Sequence, residues 1–89
     1  FEVMKTTYNS MEVIKAMADI GNPNSVTDAG VGALCARTAI IGAYLNVRIN
    51  CKDYTDKVFV KEILEKGEKI VEKACKLEEE IIKNVEEKI

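Results

Sequence analysis

The pattern of apolar positions along the chain predicts three helices, and the first covers the opening residues. Apolar side chains recur there at steps of three and four, which is the period of an α-helix. Gly21 can take the left-handed conformation that ends a helix, and Pro23 lacks the N–H that a continuing helix needs. We therefore predict a first helix from Phe1 to about Ile20, with its apolar positions at Phe1, Met4, Tyr8, Met11, Ile14 and Met17.

The second predicted helix is a long apolar segment that follows this turn. Ser25 and Asp28 have the spacing of a capping box, in which Ser25 accepts a hydrogen bond from the backbone N–H of Asp28. From Ala29 to Val47 the only charged residue is Arg37. The segment is long enough to span a membrane, but the central arginine and the polar residues that follow argue against a span. We predict a buried helix, which a chain of 89 residues cannot cover alone.

The small residues of this second helix recur four apart, which allows another helix backbone to approach closely. The pairs are Ala29/Ala33, Gly32/Ala36 and Ala39/Ala43. The helix therefore needs a partner subunit, the remainder of a larger domain, or both.

The third predicted helix starts after the polar connector 52–56, with Thr55 or Asp56 as its N-cap. It continues to Ile89 as an amphipathic helix whose charged face is solvated, and Glu-to-Lys pairs four residues apart support it. Its apolar line comprises Ile63, Gly67, Ile70, Ala74, Leu77, Ile81, Val85 and Ile89.

Charge and cysteine content exclude several classes of function. The chain has 13 Lys and Arg against 15 Asp and Glu, a net charge of −2, so it lacks the clustered positive charge that nucleic acid or an anionic membrane surface requires. Three widely spaced cysteines and no histidine argue against a zinc site, and we predict no metal. We expect reduced thiols and a cytoplasmic location.

Two segments of the sequence resemble a known family. Residues 21–30 have the sequence GNPNSVTDAG, and residues 43–50 have the sequence AYLNVRIN. Together they resemble the formiminotetrahydrofolate cyclodeaminase / methenyltetrahydrofolate cyclohydrolase family, which has a G-N-P-N-[SA]-V-[ST]-D-A-G block and then a small-residue helix ending in A-x-x-N-V-R-I-N. The preceding helix and the Glu/Lys-rich last helix are also family features, so the resemblance covers nearly the whole chain.

One departure from the family concerns the N-terminal half of its domain, which has a Gly-rich P-G-G-G-S-type segment. Residues 1–89 contain no such segment. We therefore expect these residues to be the C-terminal half of a cyclodeaminase-type helical domain. The N-terminal half would then be supplied by the same polypeptide or by a second fragment.

The resemblance implies an all-α fold, with three principal helices forming part of a larger dimeric all-helical domain. It implies a folate one-carbon enzyme that cyclises 5-formiminotetrahydrofolate to 5,10-methenyltetrahydrofolate and releases ammonia. The substrate would be a tetrahydrofolate derivative, with no covalently bound cofactor, and the partner a second copy in a homodimer. Two alternatives stay open: the sister cyclohydrolase, which interconverts methenyl and 10-formyl forms, and a helical assembly module without catalysis.

The chemistry of this reaction selects the candidate site residues. A proton shuttle is needed, and without histidine a carboxylate is the natural group, so Asp28 is the catalytic candidate beside its alternative role as a cap. Asn22, Asn24 and Ser25 lie on the turn before a helix N-terminus, where amides could bind the pterin or the one-carbon oxygen; simple turn chemistry is the alternative.

A second group of candidates lies at the end of the same helix. Asn46 and Asn50 are four residues apart and share a helix face, which makes them substrate-binding candidates. Arg48 suits a bidentate grip on a folate carboxylate, with an interface salt bridge as the alternative. Arg37 needs a carboxylate partner, from another subunit or from a ligand, and Tyr44 is expected in the core rather than as a stacking surface.

Overall fold

The computed structural model describes residues 1–20 and 23–89, with side chains described for residues 1–19 and 26–89. In this described part the chain forms three helices and no strand: α1 (Glu2–Ile20), α2 (Pro23–Cys51) and α3 (Lys57–Lys88). The predicted all-α bundle of three principal helices is confirmed. Its axes measure 51 × 16 × 15 Å, so the bundle is as long as its longest helix and only two helices thick.

The helix order follows from the contacts between the helices. Along α2, Gly30 lies against Val85 and Arg37 pairs with Glu78, so α3 runs antiparallel to α2. The tyrosine hydroxyl of Tyr44 reaches the carbonyl of Leu64, which continues the same antiparallel register. Helix α1 runs parallel to α3, because its end meets the end of α3 at Lys88.

The beginning of α2 differs from the predicted capping box. The helix begins at Pro23, two residues before the predicted N-cap Ser25. Proline is favoured at the first helical position because its fixed φ suits the helix and its missing N–H has no intrahelical partner there. The helix already includes Ser25, so the predicted N-cap position is two residues too late, and Asp28 lies in the second turn rather than the first. The predicted hydrogen bond of the Ser25 side chain lies outside the described residues.

Two other helix ends, the start of α3 and the end of α1, have identifiable caps. Asp56, one of the two predicted candidates, is the N-cap of α3, and its side chain accepts a hydrogen bond from the backbone N–H of Phe59 at 3.1 Å. At the end of α1, the Lys88 ammonium donates to the carbonyls of Ala18 and Asp19 at 2.6 and 2.5 Å. These carbonyls have no intrahelical partner, so a cation from α3 satisfies them and complements the α1 dipole.

The core consists of small and medium apolar side chains from all three helices. On α1 the buried line is Met4, Met11 and Ala18, a repeat of seven, whereas the predicted core residue Met17 is half exposed. On α3 the predicted line is buried or half-buried through Val85, but Ile89 is 76% exposed because it follows the last turn. The helical period predicted for the core residues of α1 and α3 was thus correct. In each helix only the last residue of the predicted line, Met17 or Ile89, is exposed.

A glycine in the middle of α3 allows α2 to approach unusually closely. A Cβ placed on Gly67 would lie 2.7 Å from both Cδ1 and Cε1 of the Tyr44 ring. The ring therefore rests directly on the α3 backbone, and its hydroxyl donates to the Leu64 carbonyl at 3.0 Å. Because glycine costs about 1 kcal/mol of helix stability relative to alanine, its place here is explained by this contact.

An ion pair joins the middle of α2 to α3. Arg37 Nη1 lies 3.5 Å from Glu78 Oε2, and the exposed fraction is 42% for the arginine side chain and 8% for the glutamate. The partner of Arg37 thus lies in the same chain, not in another subunit or a ligand as predicted. Arg37 Nε is buried and makes no hydrogen bond to the described residues.

Helix α2 leaves one side uncovered. Val31, Leu34, Leu45 and Ile49 are between 48% and 63% exposed, although the opposite side of the helix packs against α1 and α3. By length and composition alone, Val26–Cys51 could also cross a membrane. The sequence-based expectation that this helix needs further cover agrees with the exposed side chains.

The Gly67–Tyr44 contact predicts opposite effects of alanine at two glycines. Gly67→Ala should lower the free energy of unfolding by about 1–2 kcal/mol, because the cost of overpacking exceeds the gain in helix propensity. Gly42→Ala is the matched control, since no atom lies within 4 Å of its Cβ position. It should raise the free energy of unfolding by up to about 1 kcal/mol. Urea denaturation measures both, and a neutral Gly67→Ala would contradict the contact.

The Arg37–Glu78 pair predicts a measurable coupling. Arg37→Met should lower the free energy of unfolding by about 2 kcal/mol, because it leaves a buried carboxylate unpaired while the arginine itself is partly solvated. Adding Glu78→Gln to Arg37→Met should recover part of that loss. A double-mutant cycle by urea denaturation measures the coupling, and additive effects of the two changes would show that the pair contributes nothing.

Candidate functional site

The predicted site residues lie near opposite ends of α2. Asp28 is in its second turn, whereas Asn46, Arg48 and Asn50 are in its last turns, and all four are exposed. With a rise of 1.5 Å per residue, Asp28 and Asn46 are about 27 Å apart along the helix. One chain therefore does not bring these two groups into a single pocket. Asn22 and the side chains of Asn24 and Ser25 lie outside the described residues.

Asp28 is a solvated carboxylate on the surface of the bundle. In the described part of the chain, no cationic side chain lies within 4.0 Å of the Asp28 carboxylate. No group of acidic or cysteine side chains in that part could hold a metal ion together with Asp28. Its predicted role as a proton shuttle stays a prediction.

The residues near Arg48 form a cleft between the end of α2 and the first half of α3. The cleft has a volume of about 570 Å³, within the range of small-molecule sites. Its walls carry one cation, two carboxylates, an aromatic ring and two aliphatic side chains: Arg48, Glu68, Glu72, Tyr44, Leu64 and Val71. We call it the Tyr44 cleft.

The aromatic wall of the Tyr44 cleft is held in place by α3. Gly67 admits the ring and the Leu64 carbonyl accepts from its hydroxyl, so both the position and the tilt of Tyr44 are fixed. Tyr44 was expected in the core, and it is indeed half-buried, but its outer part lines the cleft. The ring thus gives the cleft a rigid surface.

The cation of the Tyr44 cleft lies over this ring. The Arg48 guanidinium carbon is 6.0 Å from the centroid of Tyr44, at the outer limit of a cation–π contact. No carboxylate of the described residues lies within 4.0 Å of Arg48, although Glu68 and Glu72 line the same cleft. The guanidinium is therefore oriented without being neutralised by an ion pair, which leaves it able to bind an anion.

Arg48 also lines a second, smaller cleft on the outer side of α2. This cleft of about 320 Å³ is bordered by Leu45, Arg48, Ile49 and Lys52. Two cations four residues apart, beside two apolar side chains, suit an anionic group attached to an apolar one. Arg48 connects the two clefts, and so links an acidic side facing α3 with a basic side facing outwards.

Sequence analysis did not find Lys52, Glu68 and Glu72 as site residues, because charges on an amphipathic helix are ordinarily solvated. One signal pointed to the place. Gly67 stands in the interior of a helix that is otherwise rich in good helix formers, and such a glycine indicates close approach of another group. Glu68 and Glu72, one and five residues after Gly67, line the cleft beside the contact between Gly67 and Tyr44.

The chemistry available at the Tyr44 cleft is binding rather than bond-breaking. Glu68 and Glu72 can accept hydrogen bonds from the N–H groups of a heterocycle, and Arg48 can bind a carboxylate. In the part of the chain whose side chains are described, no group of three acidic or cysteine side chains could hold a metal ion.

Comparison with known proteins agrees with the two sequence blocks. The family model for formiminotransferase-cyclodeaminase matches residues 1–69. A methenyltetrahydrofolate cyclohydrolase of Methylorubrum extorquens is 34% identical over 79 residues, which cover 89% of this chain and 38% of that protein. A formimidoyltransferase-cyclodeaminase of Gallus gallus is 38% identical over 66 residues, or 74% of this chain and 12% of that protein.

A third relative, the formimidoyltransferase-cyclodeaminase of Rattus norvegicus, is 36% identical over 58 residues, which cover 65% of this chain and 11% of that protein. The chain therefore spans well under half the length of each of these relatives. The family model nevertheless covers most of the chain, from α1 through the first part of α3. The chain belongs to the formiminotransferase-cyclodeaminase family.

Proposed function

We propose that this chain is the folate-binding part of a cyclodeaminase, which closes 5-formiminotetrahydrofolate to 5,10-methenyltetrahydrofolate and releases ammonia. The observation that carries the proposal is the unpaired guanidinium of Arg48, oriented over Tyr44 between two clefts. Family membership supports folate as the substrate class. The substrate would be a tetrahydrofolate derivative with no tightly bound cofactor.

The two clefts around Arg48 suit the two ends of a folate. The glutamate carboxylates would bind on the outer side, where Arg48 and Lys52 are neighbours. The carboxylates of Glu68 and Glu72 repel that end of the ligand, but they accept hydrogen bonds from the N–H groups of a pterin. The charge asymmetry of the clefts would thus set the direction of the bound folate.

The proton transfers are assigned to Asp28, which sits far from these clefts in the same chain. A carboxylate can take a proton from the attacking folate nitrogen and deliver one to the leaving ammonia, because both steps occur at one tetrahedral carbon. We propose a homodimer, completed by the N-terminal half of the family domain and located in the cytoplasm, as the working form.

The second candidate function is that of the cyclohydrolase. One specific observation favours it: the relative that covers 89% of this chain is named a methenyltetrahydrofolate cyclohydrolase. The reaction adds water to the methenyl carbon instead of expelling ammonia, so the same pocket could serve either reaction. Ammonia release from 5-formiminotetrahydrofolate, measured beside the hydration of 5,10-methenyltetrahydrofolate, separates the two functions.

Removal of the Arg48 guanidinium should weaken folate binding. We expect Arg48→Ala to raise the Kd for tetrahydrofolate about 10- to 100-fold, the loss of a charge-assisted hydrogen bond, and Arg48→Lys to recover only part of it. Titration calorimetry measures the Kd. Lys73→Ala, which removes an exposed cation of α3, is the control and should bind normally. Unchanged affinity of Arg48→Ala would remove the Tyr44 cleft from the site.

Neutralising Asp28 should slow turnover without changing substrate affinity. We expect Asp28→Asn to lower kcat by about 10²- to 10⁴-fold, the usual contribution of a positioned proton-transfer group, while Kd stays within error. Asp53→Asn, an exposed carboxylate in the connector before α3, serves as control. Full turnover by Asp28→Asn would show that another group moves the proton.

A further inference from the structure

The last two turns of α3 lie beside the junction between α1 and α2. Helix α1 ends at Ile20 and α2 begins at Pro23, so only residues 21 and 22 join the two helices. Residues 82–88, which we call the α3 end segment, contact both sides of this junction. One set of contacts reaches the end of α1, and the other reaches the second turn of α2.

The contacts with α1 are polar. The Lys88 ammonium donates to the carbonyls of Ala18 and Asp19 at 2.6 and 2.5 Å, and the Asn84 side-chain amide donates to the Asp19 carboxylate. Helix α1 has no basic residue in its own last turn. Two carbonyls that α1 cannot satisfy itself are therefore bonded to a cation from α3.

The charge of Lys88 matters at this point because negative groups converge there. Helices α1 and α3 run parallel, so the negative ends of their dipoles lie together at this end of the bundle. Asp19 adds a carboxylate, which Lys15 of α1 approaches at 3.4 Å. A neutral side chain at position 88 would lose the two hydrogen bonds and also the positive charge that offsets both helix ends.

The contacts with α2 are apolar and close. A Cβ placed on Gly30 would lie 3.4 and 3.5 Å from the two methyl carbons of Val85, and 3.6 Å from Cδ1 of Ile82. Val26 and Ala29, in the first two turns of α2, are buried as well. The backbone of the second turn of α2 thus rests on the α3 end segment.

These contacts lie on either side of the block that resembles the family, residues 21–30. Asp19 comes just before this block, and Gly30 is its last residue. The family model matches residues 1–69, so the α3 end segment lies outside the matched part of the chain. The block is therefore attached to the bundle by residues that the family match does not include.

We infer that Lys88 and Asn84 are positioning residues for Asp28, acting through the end of α1 and the start of α2. The inference rests on the proposed function for the role of Asp28. The Asp28 side chain is exposed, with no cationic side chain of the described residues within 4.0 Å. Its place therefore depends on the backbone of its own turn. A displacement of about 1 Å at a reacting group can cost about 10²-fold in rate.

The short connection is the reason that a cap on α1 affects α2. Without its cap, the last turn of α1 frays more readily, as helix ends do. Unwinding that turn would lengthen the free connection to Pro23 from two residues to roughly six. The start of α2 would then be held to the bundle mainly by the apolar contact at Gly30, and Asp28 would gain freedom.

Amide hydrogen exchange in the full chain tests this attachment without any assay of activity. Lys88→Met keeps most of the aliphatic stem and removes the ammonium group. We expect amide exchange at residues 18–20 and 28–30 to become about 10-fold faster, as the loss of a charge-assisted hydrogen bond implies. Exchange at residues 63–77 of α3 should not change. Lys88→Arg should restore slow exchange, and Lys83→Met, which removes an exposed cation of the same helix, is the matched control.

Turnover gives the second measurement. Lys88→Met should lower kcat for ammonia release from 5-formiminotetrahydrofolate about 10- to 100-fold. The Kd for tetrahydrofolate should stay within error, because Arg48 lies about 30 Å from Asp28 along α2. Lys88→Arg should recover most of the rate. Asn84→Ala should lower kcat in the same direction but less, and circular dichroism checks that each variant is helical.

Two results would overturn the inference. Faster exchange at residues 18–20 with unchanged exchange at residues 28–30 would show that Lys88 caps α1 alone. Full kcat in Lys88→Met would show that Asp28 needs no such support. Failure of the proposed function gives a different result: an inactive unmodified chain, or full turnover by Asp28→Asn, refutes the assigned chemistry, while the exchange data decide separately whether α3 holds the start of α2.

Discussion

The bundle depends on how closely α2 can approach its two neighbours. Gly30 lies against Val85 of α3, Gly32 against Ile14 of α1, and Gly67 receives the Tyr44 ring. At each contact one side has no Cβ, so the other side rests on backbone. A thin bundle has few large core residues, and short distances between helix axes replace them as the source of packing. The cleft beside Tyr44 exists because one of these contacts occurs at an aromatic residue.

Much of the fold could be predicted from the sequence, because periodicity and helix caps are local. The apolar steps located α1, and Asp56 was correctly expected to be one of two N-cap candidates for α3. The start of α2 was misplaced because Pro23 was treated as a helix breaker, although the same residue is favourable in the first turn. The residues around Pro23 could not show whether it ends one helix or begins the next, because that depends on where the chain turns.

The candidate site was harder to predict because it depends on contacts between distant parts of the chain. Arg48 was identified from a motif, but its neighbours Glu68 and Glu72 come from a helix whose charges have no distinguishing pattern. Arg37 was expected to pair outside the chain, since no nearby carboxylate is visible in the sequence; its partner Glu78 is 41 residues later. The neighbours of Arg48 and the partner of Arg37 cannot be found from spacing along the sequence. They depend on the register in which α2 and α3 pack, which decides which turns of the two helices meet.

The cap at the end of α1 has a consequence for the order in which the chain acquires structure. The carbonyl of Ala18 is satisfied by Lys88, 70 residues later, and Asn84 donates to the Asp19 carboxylate beside it. During synthesis α1 is made before α3, so its final turn stays without this cap until residues about 70 positions later have been added. The end of α1 therefore reaches its final structure only when the last turns of α3 pack beside it.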